Sequence, residues 1–235
     1  MTLNSWLPAG TPKIVYTLQG ALAGLDDAGL RERLAAAGVR RLQLNLDDAP
    51  VAAAMRIPTG EPMTGFVSVW TDSPAETGPA VADLLRDCAA AVHGYLVDER
   101  RRMDPPETYD GQRADALANV AVLRRPAELS QAEWLQVWLV RHTPIAVRTQ
   151  ATFGYVQNIV LDPVTPDAPR VDAFVEELFP SAGITDMHAF YGSGGDDAEL
   201  GRRLGELMES VARIGADRDL DLVPTSRYLW DLEDL

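Results

Sequence analysis

The 235-residue chain holds one cysteine, one lysine and three histidines. Cys88 alone cannot close an internal disulfide, so no covalent framework is available and a cytoplasmic setting is the expectation. It falls on the apolar stripe of an expected helix, the place of a buried structural thiol rather than a nucleophile. Long apolar runs are missing: the stretches 67–70 and 159–161 are far too short to cross a bilayer. Residues 1–10 have neither the basic nor the apolar region of a signal peptide. A basic face is missing as well. The formal net charge is −14, and the one basic run, Arg100–Arg102, is flanked by Asp98, Glu99 and Asp104, so it reads as solvated linker. A phosphate backbone or an anionic membrane needs a concentrated basic surface, so both are excluded as partners. His93, His142 and His188 show no metal-ligand spacing, and no metal site is expected. The loop Gly192–Gly195 lacks the lysine of a phosphate loop, and Asp196 and Asp197 would repel an anion there. Ser193 has no G-x-S-x-G context.

What is present is a repeated order of elements. Alternating runs predict strands at 12–19, 39–47, 64–71 and 91–98, and helical spacing predicts helices at 26–37 and 79–90. The order recurs with strands at 117–123, 152–161, 184–191 and 221–230 and helices at 130–147 and 197–214, plus a short extra helix at 171–178. The stretch between the two sets carries Pro105-Pro106 and Asp110-Gly111, which are turn formers. Residues 1–104 therefore form a first half, 105–114 a linker and 115–235 a second half. A βαββαβ unit puts both helices on one face of an antiparallel sheet and leaves the other apolar face to be covered. Two such halves in one chain cover each other. The fold expected is thus α+β: two tandem ferredoxin-like halves forming a pseudo-dimeric α+β barrel, with a sheltered chamber at their seam. Beyond this internal pairing a homodimer is a further possibility.

The helix 130–147 carries the most information. Ser130 and Glu133 form an S-x-x-E capping box. Trp134, Trp138 and His142 recur every four residues and share one face. Pro144 then disturbs the hydrogen-bond ladder. From spacing alone His142 is either an acid/base or anchoring group at a cavity or a histidine bonded to a neighbouring loop. In the strand 152–161, Tyr155, Gln157 and Ile159 share one face and Val156, Asn158 and Val160 the other. The valine face suits helix packing better, so Tyr155 and Gln157 are expected inside, with Asn158 as the alternative. His188 is expected on a strand, either meeting His142 or Tyr155 as an acid/base pair or bonded across strands. Tyr16, Phe66, Trp70, His93 and Tyr95 supply either an aromatic wall or core.

The segment E-W-L-Q-V-W-L-V-R-H-T-P-I-A (133–146), followed by F-G-Y-V-Q-N-I-V-L (153–161) and more loosely by M-H-A-F-Y (187–191), resembles the EthD family of the dimeric α+β barrel superfamily. The matching motifs cover about a third of the second half. The first half agrees in element order only. The resemblance implies a small-molecule enzyme acting without cofactor on an apolar, aromatic or polyketide-like compound, by dehydration, cyclisation or isomerisation, or as a monooxygenase. It implies His142, Tyr155 and His188 as catalytic groups. Trp134, Trp138, Gln157, Asn158, Tyr16, Trp70 and His93 would bind the ligand. A haem-binding relative with His142 or His188 as axial ligand, and a non-catalytic binding or assembly protein, are the alternatives.

Overall fold

Alternation in KIVYTLQ becomes β1 (Lys13–Gln19), and the same period carries β2 (Arg41–Leu46) and β3 (Met63–Trp70). β4 (Ala91–Met103) completes the first set. α1 (Ala28–Ala36) starts where the Asp27 side chain accepts from Gly29 N. α2 (Pro74–Leu85) starts with a proline in its first turn, so it begins earlier than the expected 79; Pro79 lies inside it. The second set comprises β5 (Leu117–Leu123), β6 (Gly154–Pro163), β7 (Ala173–Phe179) and β8 (Leu220–Asp231). Its helices are α3 (Gln131–Leu135), a π-helical segment (Gln136–His142), α4 (Thr143–Thr149), α5 (Met187–Tyr191) and α6 (Asp197–Arg213). The computed structural model describes residues 10–233, so the signal-peptide reading of 1–10 falls, Gly10 apart, outside the described residues, as do residues 234 and 235. Among the described residues no helix is long and apolar enough to cross a membrane.

All eight strands close into one antiparallel barrel in the order β1-β3-β2-β8-β5-β7-β6-β4. The architecture is α+β, with the helices outside. Each set of four has the same internal order, β4-β1-β3-β2 and β8-β5-β7-β6. The sets are joined along β2·β8 and β4·β6. β4 is longer than expected because its second part pairs with β6 as far as Met103↔Tyr155. The run Arg100–Arg102 therefore belongs to a strand and not to a solvated linker. Arg101 pairs with Asp104 and Glu107, and Arg102 donates to Gln157. β8 has partners on both sides, β2 and β5, and is not an edge strand.

Two expected elements exchange type. Residues 171–178 hold strand β7 where a helix was expected, because Val171, Phe174, Val175 and Leu178 mimic helical spacing when both faces of a strand are buried. Residues 184–191 hold a 3-10 turn (Ser181–Ile184) and α5 where a strand was expected. Asp186 caps α5 by accepting from His188 N at 2.8 Å.

The seam of the two sets holds side chains where a chamber was expected. Eight strands enclose a lumen just wide enough for side chains to fill. One layer is apolar: Val15, Phe66, Tyr95, Val97, Val120 and Phe174. The next is ionic. Lys13 donates to Glu99 at 3.0 Å and to Glu176 at 2.6 Å, and Gln43 and Asn158 also donate to Glu176. Trp70 stands over Lys13, with Nζ 4.7 Å from its ring centre, and donates to Glu99. A void of about 10 Å³ remains beside Asn45, Glu176 and Arg227. Outside the barrel, Tyr16 fills the space under α2. Its hydroxyl donates to Gly78 O at 2.8 Å, and a Cβ at Gly94 would lie 2.7 Å from its ring, which is why residue 94 carries none.

The capping box is present as expected: Ser130 Oγ accepts from Glu133 N, and the Glu133 carboxylate accepts from Ser130 N at 3.0 Å. Ser130→Ala is expected to cost about 1 kcal/mol in denaturant unfolding, since it exposes an unpaired donor at the helix start.

Candidate functional site

The helix running through 131–149 is wide in its middle. Pro144 has no N–H to offer and its ring crowds the carbonyl four residues back, and the chain answers with a π turn. Thr143 N donates to Trp138 O, five residues earlier, and Thr143 Oγ1 donates to the same carbonyl at 2.9 Å. Gln157 then donates to Thr143 Oγ1 at 2.8 Å and accepts from Arg102 at 2.7 Å. Gln157 and Tyr155 thus face the helices and not the lumen. The polar tip of Gln157 finds its partners on the helix, whereas Val156, Asn158 and Val160 take the inner side.

Between this helix layer and the sheet of β5, β7, β6 and β8 lies a cavity of about 520 Å³. Trp138 and His142 come from the π segment, Leu207 and Val211 from α6, and Ala121, Val175 and Leu222 from the sheet. Met55, Ile57 and Met208, all exposed, rim it. The segment after β2 reaches across to form this rim, anchored by paired backbone hydrogen bonds between Ile57 and Leu222 at 3.0 and 2.9 Å. A second recess, of about 720 Å³, is lined by Trp70, Val97 and Glu99 of the lumen layers together with Arg41, Arg101 and Asp104. The apolar cavity is the candidate site because of what stands in its floor.

Register aligns three polar side chains there. Asn119 pairs with Glu177 across β5·β7, and Tyr155 pairs with Glu177 across β6·β7. All three line the cavity. Glu177 is 9% exposed, and its Oε1 has no hydrogen-bond partner, nor has Asn119 Oδ1. Burial pushes the Glu177 carboxyl up to about 7. His142 accepts or donates at Nδ1 to Ser210 Oγ at 2.9 Å. Burial pulls its imidazole down to about 4, against a hydrogen bond at Ser210, so the ring is neutral at neutral pH. Burial, and then the charge of Glu177, push the phenols of Tyr155 and Tyr191 upward.

The expected site residues are thus dispersed. His142, Tyr155 and Trp138 meet at the cavity. Trp134 stacks behind Trp138, with ring centres 5.0 Å apart, and donates to Ile214 O. His188 lies outside the cavity wall, held by Ser193 Oγ at 2.7 Å and Asp197 at 3.4 Å. It does not meet His142 or Tyr155, because its segment is helical and capped. Of the two histidines offered as haem ligands, only His142 lines the cavity. Trp70 and Asn158 belong to the lumen, Tyr16 to the first set of helices, and His93 sits 3.8 Å from Asp167. No group of three His, Cys, Asp or Glu side chains fit to hold a metal ion occurs among the described residues. Glu177, Asn119 and Ser210 did not emerge from the sequence. The signal for Asn119 was a lone polar residue at the parity of Leu117, Ala121 and Leu123.

No protein-family model and no curated protein sequence matches the chain. Solved structures do. An anthrone oxidase-like protein superposes with a TM-score of 0.54 at 11% identity, over 95% of this chain and 94% of that one. A candidate monooxygenase from Lactobacillus acidophilus NCFM gives 0.47 at 8% identity, over 94% and 96%. A mutant chlorite dismutase from Candidatus Nitrospira defluvii gives 0.45 at 10%, over 95% and 93%. At 11% identity the likeness to the anthrone oxidase-like protein is one of fold alone, a closed eight-stranded barrel in an α+β architecture.

Proposed function

We propose that the chain is an EthD-like enzyme built of two ferredoxin-like halves, in which the second half alone works on a small, largely apolar compound of aromatic or polyketide-like type. The repeated strand order supports the two halves. The filled space around Tyr16 supports a single working half. The chemistry proposed is proton transfer by the chain's own side chains. The observation that carries it is the unpaired Glu177 carboxyl in an apolar cavity, at about 7, where both its forms are populated near neutral pH. A group poised there is the most effective acid/base.

Glu177 takes the role that the sequence suggested for His142, whose value of about 4 makes it a weak base. As carboxylate, Glu177 accepts a proton from a C–H or O–H of the ligand, and the electron pair stays on the ligand as an enolate or phenolate. The same carboxyl returns the proton to another ligand atom, which isomerises it, or to a departing hydroxyl, which leaves as water. His142, neutral and tied at Nδ1, offers its other nitrogen to a ligand oxygen. Tyr155 orients that oxygen, and Trp138 forms the wall.

A thermal-shift screen of small phenolic and polyketide-like compounds identifies a ligand, because one that binds only the folded state raises its stability. With that ligand, Glu177→Gln is expected to lower turnover by about 10²–10⁴-fold and to remove a pH-rate inflection near 7. His142→Ala should cost less. Unchanged turnover in Glu177→Gln would exclude the assignment, and binding without turnover in the unaltered protein would favour the non-catalytic reading.

A further inference from the structure

Glu177 and Asn119 stand directly opposite each other on β7 and β5, both on the helix-facing side of the sheet. Opposed positions of an antiparallel pair hold their Cβ atoms about 4.5–5.5 Å apart. Glu177 Oε1 and Asn119 Oδ1 are both buried and both without a partner. An ionised carboxylate and a carboxamide oxygen are acceptors only, so neither can satisfy the other, and buried acceptors are rarely left bare. One proton placed between them answers both deficits.

We infer that resting Glu177 is a carboxylic acid whose O–H donates to the Asn119 carboxamide oxygen, and that Asn119 is the positioning residue that keeps this acid protonated and aimed. The proton is Glu177's own, carried on Oε1. When it passes to a ligand atom, the carboxamide turns over and presents Nδ2–H to the carboxylate left behind, so one side chain supports both charge states. Among the described residues none lowers the Glu177 carboxyl against its burial; Arg102 acts on Tyr155 but is turned to Gln157. Tyr155 from β6 and Tyr191 from α5 are neutral phenols, and His142 from the π segment is a neutral imidazole. At the rim, Asp217 and Arg218 pair with each other, and Arg218 also pairs with Glu128. Arg56, in the segment after β2, is turned to Asp47.

The bridge depends on the floor of the cavity and not on the reaction proposed above, so the two can fail separately. The test is infrared spectroscopy of the whole chain with isotope-labelled glutamate, at a pH about one unit below 7. A carboxylic C=O band is expected in the unaltered protein, absent from Glu177→Gln and shifted to higher frequency in Asn119→Leu, where the acid has lost its acceptor. A purely structural role for Asn119 would leave the frequency where it was, and that result overturns the bridge. So does the lack of any band assignable to Glu177 in the unaltered protein, which decides the matter even if Asn119→Leu fails to fold. Turnover lost or absent while the band behaves as described counts against the proposed reaction alone.

Discussion

Lys13→Met is expected to destabilise the fold by about 3–5 kcal/mol at neutral pH, because it removes the cation from a buried ionic layer and leaves its carboxylates behind. Methionine nearly matches the lysine stem, so little of the loss comes from packing. Glu176 decides the pH dependence. Burial acts to raise its carboxyl, but Lys13, Arg227 and the hydrogen bonds from Lys13 and Gln43 outweigh burial and hold it down at about 2. A lowered folded value means stability that is present above the ordinary 4.5 and lost as pH falls toward 2. Without Lys13 that contribution is gone, so the deficit should shrink on acidification through this window. Adding Glu176→Gln to Lys13→Met should restore much of the stability, since deleting both members of a buried pair is often nearly neutral. Urea melts at two pH values measure both effects. A deficit unchanged with pH and by the second substitution would show that the ionic layer is not what holds this region.

Glu177→Gln should reveal a pH dependence that the unaltered protein conceals. The Glu177 carboxyl rises from 4.5 to about 7 on folding, so the folded state keeps a proton the unfolded chain has lost, and stability falls as pH climbs through that interval. His142 does the opposite. Its fall from 6.5 to about 4 means that the unfolded chain is protonated where the folded one is not, and stability climbs between those values. Each group is worth about 3 kcal/mol at about 1.4 kcal/mol per pH unit. Between pH 4.5 and 6.5 the two slopes oppose, and the unaltered protein should be nearly flat. With Glu177 replaced, the histidine slope is no longer opposed, and stability should increase by about 3 kcal/mol from pH 4.5 to 6.5, above the window of Glu176. A flat profile in Glu177→Gln would mean that His142 is more hydrated than its surroundings indicate.

Much of the scaffold was readable because its elements bury one face against helices. β1, β2 and β3 alternate plainly, and the stripe through Leu200, Leu204 and Leu207 marks α6. Ser130, Trp134, Trp138 and His142 behaved as their spacing required, apart from the π turn that Pro144 brings. Reading failed where both faces are covered. On the short helix expected at 171–178, the neighbours Glu176 and Glu177 were given no role. In fact they point to opposite sides of a sheet, one to Lys13 in the lumen and the other to the cavity floor. That error hid the acid. Tyr155 and Gln157 were reversed for another reason: valines suit a lumen as well as a helix layer. His188 was misplaced for a local reason: a five-residue helix has too few turns to show a period, and only Asp186 betrays it.

The burial of Lys13 also has a practical side. It is the chain's one lysine, 1% exposed and enclosed by both sets of strands. Reagents that acylate side-chain amines therefore find no target on the native surface. Whatever modification accrues at residue 13 records how often the two sets part, which makes this ammonium a built-in clock for opening along β2·β8 and β4·β6.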